Sequence, residues 1–187
     1  LLSAELGFAI GLGSSGVDVV NDSEVDAAGN SYVTGFFAGT VDFDPGPGTV
    51  NLTASGVNDG FVAKYDPDGD LVWAKKFGGS GDNRGLSLGL DSTGNVIVTG
   101  RFTGTIDLDP GGGVLNKSSF GSVDYFVDKL DSTGNLLWGG QIGSNQEESS
   151  TALAVDSAGN ISIVGMMRNI TNADLDPGPG VFSPSVN

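Results

Sequence analysis

Cysteine and histidine are both absent from the 187 residues of the chain. Their absence excludes disulfide bridges, thiolate nucleophiles, imidazole bases and the usual zinc ligands. Any catalysis would have to depend on carboxylates or lysines.

Basic residues and long apolar runs are also scarce. Lys and Arg total 8 against 23 Asp and Glu, which gives a net charge of −15. A surface of this sign repels nucleic acid, so no nucleic-acid partner is predicted. No apolar run approaches the ~18 residues of a membrane-spanning helix, and no membrane insertion is predicted.

Glycine and aspartate are abundant. Gly accounts for 32 residues, and 19 of the 23 acidic residues are Asp. Asp favours turns, whereas Glu favours helices. A hydrophobic content of 38% is too high for a disordered acidic tail. The composition predicts an acidic, turn-rich β protein.

An internal repeat of 65 residues is the strongest signal in the sequence. An Asp-x-x-Gly-Asn element recurs at this spacing and once more within the second repeat. We predict that these elements form tight hairpin turns, in which the Asp side chain accepts backbone N–H groups and Gly adopts a left-handed conformation. The predicted turn residues are Asp26, Gly29 and Asn30; Asp91, Gly94 and Asn95; Asp131, Gly134 and Asn135; and Asp156, Gly159 and Asn160.

Each repeat reads as four short strands, predicted in the second repeat at residues 86–90, 96–102, 125–130 and 136–142. Several strands are apolar on both faces, which is typical of a sheet covered on both sides. We therefore predict an all-β fold of β-propeller-like blades, each with four antiparallel strands and about 65 residues, that form an incomplete ring in one chain. A stacked β-solenoid is the main alternative.

The predicted organisation is a single repeat array over residues 1–187. Its approximate units are 1–20, as the last strand of a preceding blade, then 21–85, 86–150 and the partial unit 151–187. This is fewer than the ~4–8 blades that close a propeller. Two interpretations remain open: the remaining blades belong to a longer chain, or further copies of the chain complete the ring or exchange strands.

The order of motifs resembles the bacterial β-propeller repeat family often called SBBP. The motifs are Asp-x-x-Gly-Asn, Tyr/Ile-Val-Thr-Gly, Phe-x-Gly-Thr-Val/Ile-Asp, Asp-x-Phe-Val-x-Lys and Gly-Asn/Asp-Leu-x-Trp. The resemblance covers nearly the whole chain and departs at residues 17–25 and 166–172. It implies multi-bladed propellers in large secreted or surface proteins, without defined catalytic residues.

An Asp-x-Asp-Pro-Gly element supplies the best candidate for a metal site. Residues i and i+2 of a strand share a face, so each element is expected to present two carboxylates that suit Ca²⁺. The candidate calcium ligands are Asp42 and Asp44, Asp107 and Asp109, and Asp174 and Asp176. The alternative is that these residues cap the Pro-Gly turn and keep an exposed edge soluble. Calcium is thus an optional ligand, and no cofactor is required.

Large aromatic residues recur at one strand position, at Phe8, Trp73 and Trp138. We predict that they pack between blades, with a set of sugar-stacking rings as the alternative. The segment Asp66 to Asp70 has the spacing of a calcium loop, but Leu71 stands where an EF-hand needs Gly, so a hairpin turn is predicted.

These features predict a non-catalytic structural or interaction module of a secreted or cell-surface bacterial protein. The acidic charge, the absence of Cys and the repeats support an extracellular location. A carbohydrate- or ligand-binding propeller is the alternative. An enzyme would need paired carboxylates, as in glycoside hydrolysis, and the Asp pairs recur in every unit, whereas a catalytic site usually breaks a repeat.

Overall fold

The computed structural model describes residue 9 and residues 11–146, 148–167 and 176. All of its regular structure is β, in 14 strands. Residues 1–8, which belong to the predicted partial unit 1–20, lie outside the described residues.

The first unit contains six strands. Four form its blade, in the spatial order β1-β2-β5-β6, and two form a hairpin inserted between the second and third blade strands. Their bounds are β1 Val19–Val25, β2 Ser31–Phe37, β3 Thr40–Asp42, β4 Asn51–Thr53, β5 Asp59–Tyr65 and β6 Leu71–Gly79.

The second unit repeats this plan. Its blade is ordered β7-β8-β11-β12, and every neighbouring pair is antiparallel. The bounds are β7 Arg84–Leu90, β8 Val96–Phe102, β9 Thr105–Asp107, β10 Asn116–Ser118, β11 Asp124–Leu130 and β12 Leu136–Ile142. A third unit begins with the hairpin β13 Glu148–Val155 and β14 Ile161–Met167.

Successive units face each other through their sheets. The first strands β1, β7 and β13 lie side by side, with β7 in contact with both others. Blades whose first strands adjoin in this way fan out from a common hub. The fold is therefore the expected all-β array of propeller-like blades, with two complete blades and a third hairpin among the described residues.

The inserted hairpin of the second unit also joins the two blades. Strand β9 pairs with the end of β6, where Gly78 and Gly79 lie opposite Asp107 and Ile106. Glycine is required at this approach, because a Cβ on Gly79 would collide with the backbone of Thr105. The residues by which the repeat exceeds the ~40–50 of common propeller repeats form this connection.

Candidate functional sites

The interface between the two complete units is an apolar core. The second unit presents a receiving face of buried side chains from β7, β8, β9, β11 and the residues around them, and the first unit covers that face with Tyr32, Val62 and Phe77. The receiving face consists of Leu88, Val96, Val98, Phe102, Ile106, Leu108, Phe126 and Leu130. Phe77 lies directly on Phe126, with ring centroids 5.2 Å apart.

The interface continues along β2 toward the first strands. Thr34 lies so close to Gly85 that a Cβ on this glycine would collide with the Thr34 hydroxyl. The ring of Phe36 lies under the guanidinium of Arg84, at 4.2 Å. Asp22 of β1 accepts hydrogen bonds from the hydroxyl of Ser87 at 2.7 Å and from the backbone N–H of Leu88 at 3.0 Å.

The corresponding face of the first unit forms a groove of about 500 Å³. Each residue of the receiving face has a counterpart 65 positions earlier, and all eight counterparts line this groove. Six are apolar or aromatic, namely Val33, Phe37, Val41, Phe43, Phe61 and Tyr65, and the other two are Ser23 and Ser31. Val20 and Val25 complete its exposed rim.

The groove lies where the first unit corresponds to the covered face of the second unit. Leu12 packs against the core of this face at the position that corresponds to Phe77. Counterparts of Tyr32 and Val62, which would come from the second and third strands of another unit, are absent from the described residues. Among the described residues, the receiving face of the first unit is therefore only partly covered.

The Asp-x-Asp-Pro-Gly elements form turns at the ends of the inserted hairpins. Strand β3 ends at Asp42, so Asp44 lies beyond it and the two residues do not share a strand face. Asp42 Oδ1 accepts hydrogen bonds from the N–H groups of Asp44 at 3.1 Å and Val50 at 2.8 Å, and Asp44 Oδ1 accepts one from Gly46 at 2.8 Å.

The second unit uses the same turn geometry. Asp107 Oδ1 accepts from the N–H groups of Asp109 and Leu115, and Asp109 Oδ1 from that of Gly111. In the third copy, Asp174 lies outside the described residues and Asp176 is described on its own. The carboxylates thus cap their own turns, and calcium binding stays a prediction.

The Asp-x-x-Gly-Asn elements each close a hairpin. In every one, a single oxygen of the Asp carboxylate accepts two backbone N–H groups, and the Gly has a φ between 81° and 87°. Asp66 to Asp70 forms the same turn with Gly69 at a φ of 89°. Hydrogen bonds from Asn135 and Thr133 hold the pKa of Asp131 below its usual range.

Asp91 has an additional cationic partner, because Lys129 donates to it at 2.8 Å. Burial acts to raise the pKa of Asp91, but the hydrogen bonds from Lys129, Thr93 and Asn95 together lower it. In the first unit, Lys64 lies instead over the ring of Tyr32, 5.0 Å from its centroid.

A fully buried aspartate begins the third blade strand of each complete unit. In the first unit, Asp59 Oδ2 accepts hydrogen bonds from Lys76 Nζ at 2.8 Å and from the N–H of Ser55 at 2.9 Å. In the second unit, Asp124 Oδ2 accepts instead from Gln141 Nε2 at 2.5 Å and from the N–H of Phe120 at 3.0 Å. Burial raises the pKa of Asp124, and these hydrogen bonds oppose the rise.

Asp128 is the most unusual titratable residue among the described ones. It is fully buried on the receiving-face side of β11, and no described residue donates a hydrogen bond to either of its oxygens. Burial raises the pKa of Asp128 well above its usual range, the carboxylates of Asp109 and Asp107 raise it further, and Lys117 opposes them. Asp128 is consequently an acid that the fold favours in its neutral form.

The tryptophans occupy equivalent positions with different surroundings. Trp73 packs against the core between the units, and its Nε1–H donates to the carbonyl of Ser132 in the second unit at 3.1 Å. Trp138 is 38% exposed. Phe8 lies outside the described residues.

Within the described part of the chain, no group of three or more Asp or Glu residues has the geometry to hold a metal ion. The same part contains no helix that could span a membrane.

No protein-family model matches the chain, so membership of the SBBP repeats stays a prediction. A regulatory protein named FlaEY from Caulobacter vibrioides is 30% identical over 154 residues, which is 82% of this chain and 16% of that protein. An uncharacterized WD repeat-containing protein, L264, from Acanthamoeba polyphaga mimivirus is 28% identical over 120 residues, which is 63% of this chain and 9% of that protein.

The similarity to a WD-repeat protein agrees with the blade architecture, since WD repeats form four-stranded propeller blades. The chain spans less than a fifth of the length of either relative. The similarity therefore concerns only one part of each relative and not the whole protein.

Sequence reasoning missed the groove and Asp128. A signal for Asp128 was present, because three positions change together between the repeats. Ala63, Ala74 and Leu52 of the first unit become Asp128, Gly139 and Lys117 of the second. Alignment of the repeats shows the substitutions, but only the strand register shows that Asp128 lies opposite Gly139.

Proposed function

We propose that the chain is a non-catalytic interaction module, a run of propeller blades that contributes binding surfaces to a larger protein or assembly. The observation that carries this proposal is the groove. The first unit has a face that corresponds to the buried receiving face of the second unit, and among the described residues a groove of about 500 Å³ remains on it. An apolar surface of this kind is typical of an interaction site.

The composition and the relatives support the same function. A chain without His or Cys has few groups for acid-base or nucleophilic catalysis. The names of the two relatives describe a regulatory protein and a WD-repeat protein. We further propose that the module acts outside the cell or at its surface, where its high negative charge keeps it soluble.

Binding of the neutral dye Nile red tests whether the groove is accessible. We expect its fluorescence to rise with the wild-type chain and to fall by at least half in the variant Val20→Glu/Val25→Glu, because both side chains lie on the groove rim and are exposed. Val114→Glu is the matched control, since Val114 is 71% exposed in a turn of the second unit and does not line the groove.

A panel of glycoside substrates and a glycan array should give no turnover and no binding. Absence of Nile red binding would remove the groove as an interaction site. Turnover of a substrate would overturn the non-catalytic assignment, and specific glycan binding would favour the carbohydrate-binding alternative.

A further inference from the structure

The insert of the second unit, residues 105–118, lies on the same face of the blade as Asp128. Ile106 and Leu108 are fully buried in the receiving face, and Leu115 packs against it. A Cβ on Gly139, which lies opposite Asp128, would collide with Oδ1 of Asp128 and would lie 3.2 Å from Leu115 Cδ2. A side chain that fixes the insert to the blade therefore lies beside the buried acid.

The charged groups that act on Asp128 all belong to this insert. They are the carboxylates of Asp109 and Asp107, which oppose ionisation of Asp128, and the ammonium of Lys117, which favours it. Ionisation of Asp128 would therefore place a third negative charge beside two others, with one cation to offset them.

The blade itself adds no charge to this cluster. The residues paired with Asp128 in the sheet are Val98 of β8 and Gly139 of β12. Lys129, the next residue on β11, lies on the opposite face and pairs with Asp91 at 2.8 Å. The neighbouring strands therefore supply no counter-ion to Asp128.

The first unit supplies none either. Of the three buried side chains with which it covers the receiving face, Tyr32 is the titratable one, and its hydroxyl donates to the carboxylate of the first hairpin turn at 3.3 Å. Lys75 of β6 lies instead against the turn at Gly134. Among the described residues, Lys117 is thus the one cation that acts on Asp128.

Both inserts are tied to their blades at the base. Lys76 Nζ donates to the carbonyl of Thr53 in the first unit, and Gln141 Nε2 donates to the carbonyl of Ser118 in the second, each at 2.8 Å. These hydrogen bonds hold the two strands of each insert where they leave the blade.

The two inserts differ nearer the tip. Tyr65 donates its hydroxyl to the carbonyl of Phe43 at 3.0 Å, which ties the third blade strand of the first unit to its insert. Leu130 occupies the position of Tyr65 in the second unit and has no donor. The second insert therefore lacks this tie and faces Asp128 where the first insert faces Ala63.

We propose that Asp128 is a pH-sensitive switch beneath the insert of the second unit, which stays seated on the blade while Asp128 is neutral and is released when Asp128 ionises. A buried carboxylate without donors is costly, and lifting the insert admits the water that it needs. Because β9 pairs with the end of β6, release also opens a contact between the two units. The switch lies away from the groove and does not depend on it.

Hydrogen exchange of the whole chain at pH 5 and pH 8, measured by mass spectrometry and expressed as protection factors, tests the proposal. The seated insert retains a proton that the released insert loses, so rising pH favours release. We expect the protection of residues 105–118 to fall by about tenfold or more between pH 5 and pH 8, since one unit of pKa difference corresponds to a factor of ten. The first insert, residues 40–53, is the internal control and should keep its protection.

Two variants separate the switch from other effects of pH. Asp128→Asn keeps the shape of the neutral acid, and Asp128→Ala reproduces the residue of the first unit. In both, residues 105–118 should remain protected at pH 8, and circular dichroism verifies that each variant is folded.

Three results would overturn the proposal. The first is equal protection of residues 105–118 at both pH values in the wild type, and the second is a loss of protection that persists in both variants. The third is a loss of the same size in β8 and β11, because it would show unfolding of the whole blade and not release of the insert.

Discussion

The two complete units have the same strand order and differ in how they bury polar groups. At the centre of its receiving face, the first unit places Ala63 opposite Ala74. The second places Asp128 opposite Gly139 in the same register. One backbone therefore accommodates an apolar pair and a buried acid at equivalent positions.

The difference shows that a buried carboxyl group needs space for its atoms as well as a raised pKa that favours the neutral form. A Cβ on Gly139 would collide with Oδ1 of Asp128, so the glycine creates the space that the carboxyl occupies. At the start of the third blade strand, Asp59 of the first unit has Lys76 as a counter-ion, whereas Asp124 of the second unit accepts hydrogen bonds from the neutral Gln141 and from the N–H of Phe120. Each unit thus pairs one buried aspartate with a polar partner, and the second unit alone adds an unpaired one.

The largest expected effect comes from removing the counter-ion in the first unit. Lys76→Met leaves the buried carboxylate of Asp59 without its ammonium partner and should lower the free energy of unfolding by about 2–3 kcal/mol. Lys76→Gln reproduces the arrangement of the second unit and should cost about 1 kcal/mol. Urea denaturation measures both, and equal losses for Met and Gln would contradict the argument.

Gly139→Ala should lower the free energy of unfolding by about 2 kcal/mol, because the added methyl group collides with Asp128. The same substitution in an Asp128→Ala background reproduces the Ala63 and Ala74 pair and should be nearly neutral. The double-mutant cycle measures this coupling by denaturation. Additive effects would show that the two side chains do not compete for the same space.

Asp128→Ala alone should raise the free energy of unfolding at neutral pH by about 1 kcal/mol, since it removes a buried acid without hydrogen-bond donors at the expense of a small cavity. Asp124→Ala is the contrasting variant and should be destabilising, because Gln141 and the N–H of Phe120 would lose their acceptor. Stabilisation by both substitutions would contradict the distinction between the two residues.

The pH dependence of stability should distinguish Asp128 from the aspartates of the turns. Its folded-state pKa is raised, so the folded protein binds a proton that the unfolded chain releases, and stability increases as pH falls from 7 toward the unfolded value of about 4. Below about pH 4 the lowered pKa values of turn residues such as Asp91 and Asp156 act in the opposite direction. Thermal unfolding from pH 3 to 8 should therefore show a maximum on the acidic side, and Asp128→Ala should flatten its neutral limb.

Calcium should produce the smallest effect. The Asp-x-Asp-Pro-Gly carboxylates already accept backbone N–H groups, so any site formed there is expected to bind only at about millimolar concentration. Calorimetric titration with Ca²⁺ compares the calcium affinities of the two units. The variant Asp107→Asn/Asp109→Asn removes the candidate ligands of the second unit, and the matched variant Asp42→Asn/Asp44→Asn removes those of the first. Tighter binding in the second unit would link the site to Asp128, and no heat with any variant would remove calcium as a ligand.

The blade strands were predictable because their signals are local. Val96, Ile97 and Val98 lie between two glycine-containing turns, and this pattern alone places β8 at its observed bounds. The same holds for β12, which follows the turn closed by Gly134 and Asn135.

The contacts between units were not predictable in this way. The pairing of Gly78 and Gly79 with Asp107 and Ile106 joins residues far apart in sequence, and nothing in either segment marks the other. The groove is recognised only by comparing the corresponding faces of the two units. The burial of Asp128 is explained only by Gly139, which lies opposite it and leaves space for its carboxyl group. Long-range register, and not strand propensity, determines both.

The pairing of β9 with β6 has a consequence for the whole array. The outer strand of a blade would ordinarily leave its backbone groups free to recruit strands from other molecules. Here the insert of the second unit occupies part of that border, so the second unit shields the outer strand of the first. A blade protected in this way has fewer free backbone groups at which indiscriminate sheet growth could start.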